Sequence, residues 1–135
     1  MRIVLDTNSL IQCISYNSTY HSVWLSVQKG QNTLCISNEI LFEYEEILTR
    51  FFKPAFAEAV IHALLESKHV VLINPMFRFN LITVDPDDNK FVDCAIAAGA
   101  RYIVTNDRHY DVLQRIDFPK VGVTRLMDFL LMIHG

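Results

Sequence analysis

Glycine and proline are both scarce, at four residues each in a chain of 135. No glycine-rich phosphate-binding loop is present. Cysteine is scarcer: Cys13, Cys35 and Cys94 are odd in number and show no CxxC spacing. They read as small buried hydrophobes in a reducing cytosol rather than as a disulfide framework. Long hydrophobic runs are missing too. No apolar stretch reaches the roughly 18 residues that a membrane span needs, and Asp6 interrupts the N-terminal apolar run, so no signal peptide is expected. Nor is there an excess of positive charge, since 12 Lys and Arg face 15 Asp and Glu, for a net charge of −3. That is not the basic balance usual for a nucleic-acid-binding domain; it suits a cluster of carboxylates offset by bound cations. Internal repeats, low-complexity segments and linkers are absent. What is present is a hydrophobic content of 51%, enough for a substantial core in a single domain, 1–135.

The chain is organised around its start. Ile3-Val4-Leu5 runs into Asp6 and then into the polar Thr7-Asn8-Ser9, which reads as a buried strand entering a helix. The pattern recurs at Tyr102-Ile103-Val104-Thr105-Asn106-Asp107. Between and after these, Thr33–Ile36, His69–Ile73 and Lys120–Val123 read as strands. Helices are expected over Ser9–Ile14, His21–Lys29, Asn38 to about Phe52 with Ser37 as its cap, Ala55–Ser67, Lys90–Ala98, Arg108–Arg115, and a last one capped by Thr124 and running through Ile133. Pro54 is expected to end or kink the third of these. Met76–Val84 has no clear period and reads as a connection, followed by a turn at Asp85–Asn89. Strands alternating with helices imply parallel βαβ units covered on both faces.

In an open sheet of this kind, ligands bind at the carboxyl ends of the strands. Four acids stand at element ends or on a helix near them: Asp6, Glu43, Asp88 and Asp107. Like charges brought together raise one another's pKa. A hard divalent cation resolves the conflict, because Mg2+ and Mn2+ favour carboxylate oxygens and keep bound waters. On the helix starting at Asn38, the residues Ile40, Tyr44, Ile47, Leu48 and Phe51 define a buried arc. Glu43 falls at one margin of it and Glu45 near the other, and periodicity does not choose between them. Asp93 is a possible further acid, although its helical position points to a solvated surface. Asp85 and Asp87 read as turn residues and Asp111 as surface. The five histidines share no ligand spacing, and His109 reads as a solvated loop residue.

Taken in order, Asp6-Thr7-Asn8, Ser37-Asn38-Glu39-Ile40-Leu41-Phe42-Glu43 with Ile47-Leu48 and Arg50, Asp85-Pro86-Asp87-Asp88-Asn89-Lys90-Phe91, and Val104-Thr105-Asn106-Asp107 resemble the PIN-domain family. Within it, the chain is similar to the bacterial VapC-like PIN nucleases that form the toxin component of toxin–antitoxin pairs. The resemblance runs over the whole chain. It implies a three-layer α/β/α fold with a five-stranded parallel sheet, commonly in the order 3-2-1-4-5. It also implies a metal-dependent ribonuclease using Mg2+ or Mn2+. By position it carries over Asp6, Glu43, Asp88 and Asp107 as catalytic and metal-binding acids, and so selects Glu43 over Glu45. Asn8 and Thr105 are expected to hydrogen-bond a ligating carboxylate or a metal-bound water. The implied partners are an RNA substrate, a cognate antitoxin protein and a second copy of the chain, in the cytoplasm and away from any membrane. Leu126, Phe129, Leu130 and Ile133 are candidates for the dimer contact if exposed. Trp24 and the phenylalanines at 51, 52, 56 and 129 read as core or interface. Arg50, Lys53, Arg78, Arg101, Arg108 and Arg125 are scattered basic residues that would serve RNA phosphates if they converge on the acids.

Two other readings compete. A haloacid dehalogenase-type phosphatase also opens on a strand ending in Asp, but it needs a second acid two residues on, where this chain has Asn8. A PIN-like module that binds RNA or a partner without cleaving would have little reason to carry all four acids.

Overall fold

The computed structural model describes residues 1–134. Its strands β1 (Arg2–Leu5), β2 (Thr33–Ile36), β3 (Val70–Leu72), β4 (Tyr102–Val104) and β5 (Val123–Thr124) form one sheet in the order β3-β2-β1-β4-β5, with every pairing parallel. The helices are α1 (Thr7–Ile14), α2 (His21–Gln28), α3 (Asn38–Phe51), α4 (Pro54–Glu66), α5 (Asn89–Ala98) and α6 (Leu126–His134). Short 3-10 helices cover Pro86–Asp88 and Arg108–Arg115. The parallel pairing is what the alternation of elements predicts, and the three-layer α/β/α arrangement with this strand order is the one the family resemblance implies.

The central strands are apolar along their length because both faces are covered. Ile3, Val4, Leu5, Leu34, Cys35, Ile103 and Val104 are wholly inaccessible to solvent, as expected of parallel strands between two helical layers. Helix ends follow local chemistry. Ser37 Oγ accepts the Ile40 amide at 3.3 Å and opens α3. Gly99 closes α5 in a left-handed conformation, φ +61°, that residues with a Cβ adopt at a cost. Pro54 both stops α3 and sits in the first turn of α4, where its missing N–H costs nothing.

The 73–85 connection is held by α5. The Asn89 side chain accepts from the Ile82 amide at 2.9 Å and donates to the Ile82 carbonyl at 2.8 Å, and Asp93 Oδ1 accepts from the Phe79 amide at 3.1 Å. Those backbone groups have no sheet partner, and the two side chains stand in for one.

Several expectations are corrected. β5 is only Val123–Thr124, not Lys120–Val123. Gly122 abuts the Arg101 carbonyl so closely that a Cβ there would lie 2.3 Å from it, and pairing with β4 begins one residue later. Thr124 is thus used by the sheet and does not cap α6; the Leu126 amide donates instead to Asn106 Oδ1 at 3.0 Å. Asp93 is buried rather than solvated. Phe51 lies outside the buried arc of α3, at 67% exposure. Leu126, Phe129 and Leu130 pack into the core, and the exposed apolar residues of α6 are Met127, Leu131 and Met132. Cys13, Cys35 and Cys94 are free and buried, as expected, and burial pushes the Cys13 and Cys94 thiols up to about 12. Among the described residues, no helix is long and apolar enough to cross a membrane.

Candidate active site

β1 and β4 are neighbours, yet the chain leaves them in opposite directions across the sheet, β1 toward β2 and β4 toward β5. Such a switch point opens a crevice beyond the carboxyl ends of the two strands. Asp6 and Asp107 are the acids at those ends.

Asp6 follows Leu5 directly and caps α1. Its Oδ1 accepts the Ser9 amide at 2.8 Å, and its Oδ2 accepts the Thr105 hydroxyl. The same Thr105 Oγ1 accepts the Asp107 amide at 2.9 Å, so one buried hydroxyl ties the ends of β1 and β4 together. Burial pushes the Asp6 carboxyl above the ordinary range; the bonds from Thr105 and Ser9 oppose the rise, and the Asp107 charge adds to it.

Asp88, at the start of α5, faces this pair through a histidine. His109 Nδ1 lies 3.2 Å from Asp88 Oδ2 and 3.4 Å from Asp107 Oδ1. One imidazole nitrogen therefore separates the two carboxylates. Burial drives the Asp88 carboxyl up to about 6, helped by the charges of Asp85 and Asp107 and opposed by His109. Asp85, Asp88 and His109 each place a potential ligand atom within 4.8 Å of the others. His109 is therefore not a loop residue facing solvent alone, and Asp85, which caps the 3-10 turn as expected by accepting the Asp87 amide at 3.2 Å, lies beside it.

Glu43 stands on the flank of this group. α3 is locked to β1 by Tyr44, whose hydroxyl donates to the Leu5 carbonyl. The Glu43 carboxylate next to it accepts the Thr7 hydroxyl on one oxygen and Lys90 Nζ, at 2.6 Å, on the other. Glu45 faces away, onto a groove of about 690 Å3 between α3 and α4 that none of the four acids lines.

Asn8 is exposed and lines a cleft of about 360 Å3 with Asp6, Ser9, Gln12, Asn106 and Asp107. Its side chain bonds none of the acids. Asp93 is outside the group, occupied with the Phe79 amide. Arg125 donates to the Asp107 carbonyl at 3.1 Å and to Asp111 Oδ1 at 2.7 Å. Arg50 and Arg78 make exposed pairs with Glu46 and Glu39 instead. Arg101 stacks on Tyr102 at the start of β4, the opposite end of that strand from Asp107.

Sequence reasoning missed Lys90, Ser9 and Tyr110. The Ser9 and Tyr110 hydroxyls are buried and complete no hydrogen bond by geometry. Both face the carboxylates, Ser9 toward Asp6 and Tyr110 toward Asp88, and burial with those charges holds the Tyr110 phenol far above its ordinary range. For Lys90 a signal existed: it is the first cation after Asp85, Asp87 and Asp88. For the two hydroxyls there was none, since only the fold turns them inward. Oxygen donors in excess, with two buried hydroxyls short of partners beside them, fit a hard divalent ion.

Comparison with known proteins agrees with this architecture. The chain is similar to the structure of VapBC2 from Rickettsia felis bound to a DNA fragment from their promoter, with a TM-score of 0.65 and 20% identity over 93% of this chain and 98% of that one. It is also similar to the PIN domain endonuclease Utp24, with a TM-score of 0.54 and 15% identity over 92% and 84% of the two chains. At such identities the likeness speaks for the fold. No curated protein sequence matches significantly. The PIN domain sequence profile, however, matches residues 2–109, from β1 through the acid-tipped end of β4, and the chain belongs to the PIN domain family.

Proposed function

We propose that this chain is a cytoplasmic, Mg2+- or Mn2+-dependent endoribonuclease and the toxin of a toxin–antitoxin pair. The observation that carries the reading is the gathering of Asp6, Asp88 and Asp107 at the switch point of the sheet, with the first two carboxyls held above their ordinary range. Asp6, Asp88 and Asp107 would hold the divalent ion, with Glu43 completing the acidic set. When bound, such an ion supplies an activated water and neutralises charge on a phosphodiester.

The chain's own residues do the rest. Thr105 fixes Asp6 and the Asp107 backbone with one hydroxyl, so the two acids keep their separation as charge builds. Ser9, on the first turn of α1, holds the other Asp6 oxygen through its amide. His109 Nδ1, between Asp88 and Asp107, is placed to hold a proton for either carboxylate. Lys90 offers a positive charge on the Glu43 side toward a backbone phosphate. Partners follow from the same reading: RNA as substrate, an antitoxin as inhibitor, and a second copy through the exposed Met127, Leu131 and Met132 of α6, which light scattering at high micromolar concentration would test.

The decisive assay is hydrolysis of single-stranded RNA with Mg2+ or Mn2+. Cleavage abolished by EDTA and by Asp6→Asn is expected; activity surviving both would overturn the mechanism. The binding-only reading draws on the engagement of both Glu43 oxygens by Thr7 and Lys90. Tight RNA binding with no cleavage under either metal would favour it.

A further inference from the structure

We infer that the Lys90 ammonium is a built-in cation of this site, occupying the place at Glu43 that a second metal ion would need, so that the chain takes one divalent ion rather than two. The inference rests on the metal-dependent reading above. Its basis is how differently positive charge is supplied to the two sides of the acid group.

On the Glu43 side the compensation is covalent to the chain. Lys90 Nζ lies 2.6 Å from Glu43 Oε1, and the two side chains are only 15% and 25% exposed. The other Glu43 oxygen accepts the Thr7 hydroxyl, so each oxygen already holds one donor and an ion there would have to displace or share with the Lys90 charge. The partners are placed by the same elements that place the aspartates: Thr7 follows Asp6 at the start of α1, and Lys90 follows Asp88 by two residues at the start of α5. The pair is thus built in register with the site. By contrast, the Arg50–Glu46 and Arg78–Glu39 pairs are 3.6 and 3.9 Å long and lie in solvent.

On the aspartate side no Lys or Arg side chain among the described residues pairs with Asp6, Asp88 or Asp107 in this way. Arg125 spends its guanidinium on the Thr105 and Asp107 carbonyls and on the Asp111 carboxylate. Among the described residues the one basic side chain within 4.0 Å of the Asp88 and Asp107 carboxylates is the His109 imidazole. The negative charge that lacks a fixed partner is there, and that is where an exchangeable divalent ion belongs. An ammonium has three donors and Glu43 takes one; the others can reach a non-bridging phosphate oxygen. Lys90 would then offer a phosphodiester a fixed positive charge at Glu43.

The test counts ions. Protein stripped with EDTA and dialysed is titrated with Mn2+, following heat by calorimetry and free Mn2+ by electron paramagnetic resonance. The wild-type chain, Lys90→Met, and the charge-balanced Lys90→Met/Glu43→Gln are compared, with circular dichroism checking the fold of each. One Mn2+ per chain is expected for wild type. Lys90→Met frees Glu43 and gains a second, weaker ion. The double variant returns to one, at an affinity within about threefold of wild type, because the neutral pair is not a ligand. Two ions in wild type, one ion in folded Lys90→Met, or a loss beyond roughly tenfold in the double variant would each overturn the inference. Should Lys90→Met not fold, wild type and the double variant, which buries no lone charge, decide between them. A wild-type chain that binds no Mn2+ would overturn the metal-dependent reading itself, and is told apart from the other failures by that.

Discussion

Two sides of one acid group behave differently although they are built from the same functional group. Around Glu43 the carboxylate is held by a hydroxyl and an ammonium, and its charge is matched. Around Asp6, Asp88 and Asp107 the carboxylates face one another with an imidazole between two of them, and burial with mutual repulsion raises the first two. A protein fold tolerates uncompensated buried charge only where something else is to bind or where the charge is used. The difference leaves the aspartate side without a fixed counter-charge, and that is where the proposed ion belongs.

The largest way to break this contrast is Asp6→Asn. Metal-dependent stabilisation of the transition state is worth several kcal/mol, so RNA cleavage should fall on the order of a thousandfold. The melting temperature without metal should hold or rise slightly, because a like charge beside Asp107 has been removed. Stabilisation by Mn2+ should disappear. Full activity with full Mn2+ stabilisation would reduce Asp6 to a helix cap, a role Asn fills about equally well.

Next in size is a pH effect. The folded Asp88 carboxyl titrates near 6, against an ordinary 3.8. Between these values the folded chain keeps a proton that the unfolded chain has lost, so ν_N exceeds ν_U and stability falls as pH rises from about 4 to about 6. The drop is at most roughly 3 kcal/mol, since each unit is worth about 1.4. Asp88→Asn should flatten that part of the profile in chemical denaturation at several pH values. Mn2+ competes with the same proton, so its affinity in the wild-type chain should climb through this window.

His109→Gln sharpens the contrast further. An imidazole suits Mn2+ better than Mg2+, and His109 stands within ligand reach of both Asp85 and Asp88. The variant should lose roughly tenfold in Mn2+ affinity while Mg2+ affinity changes little. Equal losses for both ions would make His109 a positioning residue for the carboxylates.

The parallel strands could be read from the sequence because strands buried on both faces are continuous apolar runs, as in Ile3-Val4-Leu5 and Tyr102-Ile103-Val104; their order came from the family resemblance alone. β5 was misplaced because Gly122 is invisible to hydrophobic pattern: its constraint is the Arg101 backbone twenty-one positions away. Asp6 and Asp107 could be read from strand ends and Asp88 from a helix start. Glu43 could not be separated from Glu45 by periodicity, since both flank the same arc; Tyr44 bonding to Leu5 turns Glu43 inward. The Lys90–Glu43, His109–Asp88 and Tyr110–Asp88 contacts could not be read from spacing for one reason. Each joins a residue to a partner on another element, and sequence spacing carries no record of that partner. Asp93 shows the reverse error, since a helical wheel does not see the 73–85 connection that covers it.

Asp93 also supplies the smallest expected effect, and the most discriminating control. Asp93 and Asp6 are similarly shielded at the surface, at 8% and 6% exposure, although the Asp6 carboxyl is set deeper in the protein. Both carboxyls are raised by desolvation, and each accepts a backbone amide. They differ in their neighbours: Asp6 has Asp107, while Asp93 has Arg78, which lowers its pKa, and Glu39, which raises it. Asp93→Asn keeps the oxygen that accepts the Phe79 amide and removes a charge whose burial is unfavourable. The change in stability should therefore stay within about 1 kcal/mol, whereas Asp93→Ala, which leaves that amide unpartnered, should cost roughly 1–3 kcal/mol. Neither substitution touches the group at the switch point, so Mn2+ stabilisation should match wild type and RNA cleavage should change by less than about threefold. Denaturant unfolding, Mn2+ titration and the cleavage assay on both variants check this together. A loss of Mn2+ binding in Asp93→Asn comparable to that in Asp6→Asn would show that burial and charge, not the missing counter-charge, mark the ion's place, and would return Asp93 to the acidic set.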